Sequence, residues 1–129
     1  LSAVWEVAAY VTGDAEMLWH VFSNLLNNAI KFQRFPTGGG VRVTLATEGD
    51  AAVVRVRDEG IGLTADEIAR VFDKFYQVTA SAEGSGVGLT ICRMIVEGLG
   101  GRIRFESAGR GTGATAVVTF PIGGGVDSA

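Results

Sequence analysis

Apolar residues that recur at spacings of three and four predict two long helices in this 129-residue chain. The first helix begins at Ala15, and the second runs from about Val87 to Gly98. The apolar stripe of the first helix, which we expect to face the core, consists of Leu18, Val21, Phe22, Leu25, Leu26, Ala29 and Ile30. The sequence TADE at 64–67 is a capping box, which predicts a short helix through Val71.

Alternation of apolar and polar residues predicts the strands. VWEVAAYV is one strand, VRVTLAT and AVVRVRD flank the turn residues 48–50 as a hairpin, and RIRFES and ATAVVTF close the chain as another. The expected fold class is therefore α+β: a two-layer α/β sandwich in which a mixed, mostly antiparallel sheet packs against helices. With 47% hydrophobic residues, the chain is expected to form one domain over residues 1–122, followed by a flexible tail at 123–129.

Composition narrows the range of functions. The net charge is −3, and no run of Lys and Arg occurs along any segment, so we expect no nucleic-acid partner. The single cysteine, Cys92, lies in an apolar run and is expected to be a small buried residue. No apolar stretch approaches the roughly 18 to 20 residues that span a bilayer, and the N-terminus does not resemble a secretory signal, so the chain is expected to be soluble. The expected location is the cytoplasm, with a free protein and the cytoplasmic part of a membrane-bound protein both left open.

Three polar residues lie beside the apolar stripe of the first helix. Asn24, Asn28 and Lys31 follow one another at i, i+4 and i+7, and we call them the polar line. Amide oxygens can coordinate Mg²⁺ without adding negative charge next to phosphates, and a lysine ammonium can neutralise a phosphate. Residues of these types also occur on ordinary solvated helix faces, so the polar line alone leaves both interpretations open.

The sequence DEGIGL follows directly from a predicted strand. It places Asp58 at the end of the strand, with Gly60 and Gly62 behind it. A carboxylate in this position can accept a hydrogen bond from an exocyclic amine such as that of adenine, while the glycines allow a flat ring to approach the backbone. An ordinary turn from strand to helix is the alternative, and this motif alone does not decide between them.

Glycines also precede the second long helix, in the sequence GSGVGLT. Gly84, Gly86 and Gly88 are placed so that backbone N–H groups and the helix N-terminus can receive phosphate oxygens. The spacing matches neither the dinucleotide-binding fingerprint nor the Walker A loop. A flexible linker is the alternative, and it is less favoured because Val87 and Leu89 lead directly into the helical pattern.

Taken in this order, NLLNNAIKF, DEGIGL, VFDKF and GSGVGLTI resemble the N box, first glycine box, F box and second glycine box of sensor histidine kinases. These kinases belong to the GHKL ATPases, together with DNA gyrase, mismatch-repair ATPases and a heat-shock chaperone. The resemblance covers nearly the whole chain, and GGRIRFES and GTGATAVVTFP are most similar to the histidine-kinase branch. It implies the GHKL ATPase fold and a site for ATP and Mg²⁺.

The resemblance also implies roles for individual residues. Asn28, with Asn24 beside it, would hold Mg²⁺, and Lys31 would contact a phosphate. Asp58 would bind the adenine amine, with Thr115 supporting it from the sheet. The remaining implied residues are Phe32 in the nucleotide pocket, Gly60 and Gly62 in the adenine wall, Phe72 and Phe75 of the F box, and Gly84, Ser85, Gly86, Val87, Gly88 and Leu89 at the end of the lid.

By the same resemblance, the chain would present MgATP for transfer of the γ-phosphoryl group to a histidine on a separate dimerisation and phosphoacceptor domain. A receiver domain of a response regulator would act downstream. The only histidine, His20, is followed by VFSN, which lacks the family's phosphoacceptor pattern, so we expect a structural role and no nucleophile in this chain. The isolated chain is expected to be monomeric, and the full kinase a homodimer whose catalytic part lies in the cytoplasm.

Two other functions remain open from the sequence. A GHKL serine kinase or a hydrolytic ATPase is the first, but hydrolytic members usually carry a glutamate base near the N box asparagines. Glu16, the only glutamate of the first helix, lies two turns from Asn24, which disfavours hydrolysis. The second is a degenerate module that binds nucleotide to regulate a partner, and it is favoured by the absence of Arg and Lys from the lid segment QVTASAE.

Overall fold

The computed structural model describes residues 15–31, 40–73 and 88–121. Its elements are α1 (Ala15–Lys31), β1 (Arg42–Glu48), β2 (Ala51–Asp58), α2 (Ala65–Arg70), α3 (Gly88–Gly98), β3 (Arg102–Glu106) and β4 (Ala114–Pro121). The four described strands form one sheet in the order β1-β2-β4-β3, and every neighbouring pair is antiparallel. The α+β class is confirmed. The predicted strand VWEVAAYV, the predicted loop at 77–85 and the tail lie outside the described residues.

The apolar stripe of α1 packs into the core, with one exception at its edge. Its fully buried members are Leu18, Val21, Phe22, Leu25 and Ala29, and Leu26 is half-buried. Ile30, in contrast, is 62% exposed, so the prediction that it faces the core was wrong. Successive helical residues are about 100° apart, which places Ile30 roughly 120° around the axis from Leu18. The stripe is therefore narrower than the apolar pattern indicates.

The first hairpin turns more tightly than the sequence predicts. Glu48 pairs with Ala51, so Glu48 belongs to β1 and the turn consists of Gly49 and Asp50. Gly49 has φ 61°, a left-handed conformation that glycine adopts without steric cost. In β2 the alternate residues Ala52, Val54 and Val56 are buried, and Asp58 continues this series at the end of the strand. The alternation that builds the core thus also carries a carboxyl group to the core side of the sheet.

Arginines are concentrated on the other face of the sheet. The strand register places Arg55 and Arg104 on either side of Val117, which is 1% exposed. Long arginine stems can cover a buried valine while their charged ends stay near solvent, where Arg55 pairs with Glu48 and Arg104 with Glu106. The other arginines of this face are Arg42, Arg57 and Arg102. Five cations that are scattered along the sequence therefore share one surface of a chain with a net charge of −3.

The predictions of a capping box at α2 and of a buried Cys92 on α3 are confirmed. Both capping-box bonds are present in α2: Glu67 N–H donates to Thr64 Oγ1 at 3.1 Å, and Thr64 N–H donates to Glu67 Oε1 at 2.9 Å. Helix α3 packs against α1, and the thiol of Cys92 donates to the carbonyl of Val21 at 3.7 Å. Within the described ranges, no helix has the length and apolar character needed to cross a membrane.

Cys92 is expected to be unreactive in the folded chain. The residue is fully buried, and burial raises the pKa of its thiol to about 12, an effect only partly opposed by a hydrogen bond with Asn24. Because the thiolate is the nucleophile, iodoacetamide should label native protein at neutral pH far more slowly than protein unfolded in urea. Mass spectrometry of alkylated samples measures both rates. Labelling of native protein as fast as that of unfolded protein would contradict the buried position.

Candidate functional site

Asp58 is a buried carboxyl group at the end of β2. It is 4% exposed, and its Oδ1 accepts a hydrogen bond from the N–H of Gly60 at 2.8 Å. Burial raises its pKa above the ordinary value, while backbone hydrogen bonds from Gly60 and Ala114 and the charge of Arg57 act in the opposite direction. Burying a carboxylate against backbone N–H groups costs free energy, so such groups are candidates for function.

A loop after β3 packs against the residues that follow Asp58. We call residues 59–63 the first glycine segment and residues 107–113 the closing loop. Gly62 has φ 72°, and a Cβ added there would overlap a carbonyl oxygen of the closing loop. The N–H of Gly111 donates to the carbonyl of Ile61 at 2.7 Å. Glycine is therefore required at position 62 because the closing loop packs against its backbone, and not because a ligand ring does so.

Two further contacts hold the closing loop in place. Gly113 has φ 77°, and a Cβ there would overlap the carbonyl oxygen of Asp58, so the end of the loop lies directly on the end of β2. At the other side of the loop, Arg110 donates to Glu67 of α2, which is 9% exposed. The capping glutamate of α2 thus also anchors the closing loop. Sequence reasoning missed this ion pair because its partners are 43 residues apart.

The structure places Thr115 differently from the role implied for it. Thr115 is 9% exposed and pairs with Arg57 on β2, whereas Ala114 pairs with Asp58. Paired residues point to the same face of a sheet and successive residues to opposite faces, so Thr115 shares the face of Arg57. In the described residues the support of Asp58 by β4 comes from the backbone of Ala114 and not from the Thr115 hydroxyl.

Asn24 of the polar line lies beside the start of α3. Asn24 is half-buried, and its Nδ2 donates to the carbonyl of His20 at 3.1 Å, which leaves Oδ1 as an acceptor. A Cβ added to Gly88 would lie 3.1 Å from that Oδ1, so the amide faces the first turn of α3. Asn28 is also half-buried, and among the described residues none forms a hydrogen bond with its side chain. Amide oxygens beside a helix N-terminus are suitable ligands for a hard cation that carries phosphates.

The rest of the predicted site is partly outside the described residues. Lys31 is exposed at the last position of α1, and Leu89 is half-buried against the core. Gly60 is buried beside Asp58, as described above. The residues that lie outside the described ranges are Phe32, Phe75, Gly84, Ser85, Gly86 and Val87.

Phe72 of the F box is held by two residues that the sequence did not reveal. The hydroxyl of Thr90 donates to the carbonyl of Phe72 at 2.9 Å, and the guanidinium of Arg93 lies 5.6 Å from the centre of its ring. The ring also packs 5.7 Å from that of Phe105. Thr90 and Arg93 are three residues apart on α3 and therefore share a face. This spacing was the one sign in the sequence that both residues could contact the same neighbour. The start of α3 and the end of the described F box are thus joined.

A cleft of about 270 Å³ lies away from this constellation. It is lined by Gly40, Val41, Arg42, Arg57 and Glu59. Since Arg57 and Asp58 are neighbours in one strand, their side chains point to opposite faces of the sheet. The cleft therefore belongs to the arginine face and contains none of the residues predicted to bind nucleotide.

Comparison with known proteins relates the whole described region to one family. The family of histidine kinase-, DNA gyrase B-, and HSP90-like ATPases matches residues 13–124. Sensor histidine kinase RcsC of Escherichia coli strain K12 is 37% identical over 123 residues, which are 92% of this chain and 12% of RcsC. The methanogenesis regulatory histidine kinase FilI of Methanothrix harundinacea is 46% identical over 108 residues, 84% of this chain and 12% of FilI. The chain thus spans a small part of the curated relatives it matches.

Solved structures show the same relationship. The mycobacterial sensor histidine kinase MprB superposes with a TM-score of 0.74 and 32% sequence identity, covering 85% of this chain and 73% of that one. Full-length ShkA in complex with AMPPNP superposes with a TM-score of 0.72 and 31% identity, covering 84% of this chain and 22% of that one.

Proposed function

The chain belongs to the family of histidine kinase-, DNA gyrase B-, and HSP90-like ATPases, and we propose that it binds MgATP and donates the γ-phosphoryl group to a histidine on a separate domain. The observation that carries the proposal is the carboxyl group of Asp58, buried at 4% exposure and held by backbone N–H groups beside the first glycine segment. Burying such a group is costly to the fold, and a ligand that donates a hydrogen bond to it would offset part of that cost. The complex of the similar kinase ShkA with AMPPNP supports nucleotide as that ligand.

In the proposed complex, the adenine binds at the first glycine segment. The exocyclic amine of the base donates to Asp58, whose carboxylate also receives backbone hydrogen bonds from Gly60 and Ala114. Gly60 offers a buried backbone with no side chain beside the ring. A site that accepts a hydrogen bond from the amine discriminates against bases with a carbonyl oxygen at that position. The proposed site is therefore specific for adenine.

The phosphates bind at the other end, between the polar line and the start of α3. Asn28 and Asn24 would hold Mg²⁺, a Lewis acid that would neutralise charge on the phosphates. Lys31, at the end of α1, would contact a phosphate. The N-terminus of α3 begins at Gly88 and places partial positive charge toward the same oxygens. The roles of Phe32, Phe75 and residues 84–87 remain predictions.

Catalysis in this proposal depends on position and charge neutralisation, since phosphoryl transfer requires little covalent chemistry from the protein. His20 lies exposed on α1, with its carbonyl bonded to Asn24, and has no proposed role in transfer. The relatives RcsC and FilI are complete histidine kinases of which this chain matches 12%. We therefore propose that the nucleophile, the dimer interface and the contact with a response regulator belong to other domains of such a protein.

Isothermal titration tests the proposed function. The 129-residue chain is expected to bind MgADP and the analogue MgAMPPNP with measurable heat and to release a fluorescent ATP analogue in competition. Pyrophosphate should compete far less well, because it lacks the base that Asp58 recognises. Absence of both heat and competition at millimolar nucleotide would contradict the proposal.

A further inference from the structure

The hydroxyl of Ser107 joins three backbone groups on two segments of the chain. Its Oγ accepts hydrogen bonds from the N–H of Leu63 at 3.0 Å and of Gly109 at 3.2 Å, and it donates to the carbonyl of Gly113 at 2.7 Å. A serine hydroxyl has one donor and two acceptor positions, so these bonds use its full capacity. The carbonyl of Gly109, at 3.3 Å, is a more distant acceptor for the same proton. Ser107 therefore ties the end of the first glycine segment to both parts of the closing loop.

One of these segments, and the residue that directly follows the other, supply the backbone groups that hold Asp58. The N–H of Gly60 comes from the first glycine segment, and the backbone at Ala114 follows directly after the closing loop. Gly113 lies so close to the carbonyl of Asp58 that a Cβ would not fit between them. The direction of the Asp58 carboxylate thus depends on how the two segments lie relative to each other.

We infer that Ser107 is a positioning residue for base recognition: by fixing the first glycine segment against the closing loop, its hydroxyl aims Asp58 at the exocyclic amine of adenine. The inference rests on the proposed function, and it adds a residue that does not itself touch the nucleotide. If the hydroxyl is removed, the two segments lose one of the hydrogen bonds between them, while the bond from the N–H of Gly111 to the carbonyl of Ile61 remains. The N–H of Leu63 and the carbonyl of Gly113 each lose a partner. Recognition of the base then becomes less selective.

The test compares ADP with inosine diphosphate, in which a carbonyl oxygen replaces the exocyclic amine. Competition titrations with the 129-residue chain give the ratio of the two affinities, and the unmodified chain should favour ADP by at least about tenfold. Ser107→Ala should weaken ADP about tenfold and inosine diphosphate less than about twofold, which lowers the ratio. Ser107→Thr keeps the hydroxyl and should retain the ratio.

Thr112→Ala is the matched control. The hydroxyl of Thr112 lies in the same loop, 3.5 Å from Ser107 Oγ, and it donates to the carbonyl of Gly109 at 2.7 Å. Its removal takes a hydrogen bond from the closing loop without breaking the connection to Leu63, so the ratio should stay unchanged. If Ser107→Ala does not fold, Ser107→Cys retains most of the shape with a weaker donor and acceptor, and the same fall in the ratio is expected.

Different results separate the possible failures. An equal loss of affinity for both nucleotides, or no change, in folded Ser107→Ala and Ser107→Cys would show that the residue serves stability alone, and would overturn the inference while leaving nucleotide binding intact. An unmodified chain that binds neither nucleotide would overturn the proposed function as well. Binding without preference for ADP would overturn the roles of both Asp58 and Ser107.

Discussion

Asp58→Asn is expected to weaken binding of MgADP by about 1.5–3 kcal/mol, or roughly 10- to 100-fold. The amide can present a donor where the carboxylate presents only acceptors, so it meets the adenine amine with a weaker acceptor or with a repulsive N–H group. Titration of both chains with MgADP measures the difference. A dissociation constant equal to that of the unmodified chain would mean that the adenine binds elsewhere.

Asp50→Asn is the control for this substitution. Asp50 lies exposed in the turn between β1 and β2, at the other end of the strand that carries Asp58. The change has the same chemistry and the same effect on net charge, but it is remote from the first glycine segment. It should leave the affinity for MgADP unchanged. Circular dichroism on both variants establishes that any loss of affinity is a loss of binding and not of fold.

The pH dependence of the unmodified chain gives a second view of Asp58. Because burial raises the pKa of this group above 3.8, affinity for ADP should fall as the pH falls through the raised pKa and the carboxylate gains a proton. The effect on stability has the opposite sign. A raised pKa means that the folded state binds the proton more tightly, so the contribution of Asp58 to stability is present below 3.8 and is lost as the pH rises through the raised pKa. At neutral pH the group therefore serves binding at a cost to stability.

Phosphoryl transfer should occur only when a phosphoacceptor domain is added. The isolated chain is expected to incorporate no label from γ-³²P-labelled ATP, since its proposed role is to hold the donor. If, as we propose, the parent protein carries a helical phosphoacceptor domain, mixing the chain with that domain should produce acid-labile, base-stable labelling of it. Gel autoradiography after acid and base treatment distinguishes phosphohistidine from other products.

His20→Ala is the variant that tests this division of roles. The side chain of His20 is exposed on α1, and only its backbone carbonyl is bonded to Asn24, so the substitution should leave labelling of the partner domain unchanged. Asn28→Ala, in contrast, removes a proposed Mg²⁺ ligand and should lower the labelling strongly. If the isolated chain became labelled and His20→Ala abolished the label, the nucleophile would lie in this chain and the proposed function would need to be replaced.

The sequence determined the local elements and the chemical types at the candidate site. Periodicity indicated α1, α3 and both hairpins, because an amphipathic segment must place its apolar residues on one side to be buried. The capping box located α2, since its two hydrogen bonds link residues three apart in the chain. The motif DEGIGL placed Asp58 at the end of a strand and before two glycines, whereas its role in binding adenine came from the family resemblance and stays a prediction. Such features depend on residues that are close together in the chain, so they can be recognised from the sequence alone.

Only the tertiary structure decided which distant residues meet. Strand register placed Thr115 beside Arg57 and gave Ala114 the position opposite Asp58, because a shift of one residue exchanges the faces of a strand. The sheet also gathered arginines from three strands onto one face, although no segment of the chain is rich in them. Ser107 shows the same limit: it bonds to Leu63, 44 residues away, and a serine in a glycine-rich loop carries no local sign of such a partner. Pairings of this kind follow from how the whole chain packs, and the types of the residues involved do not specify them.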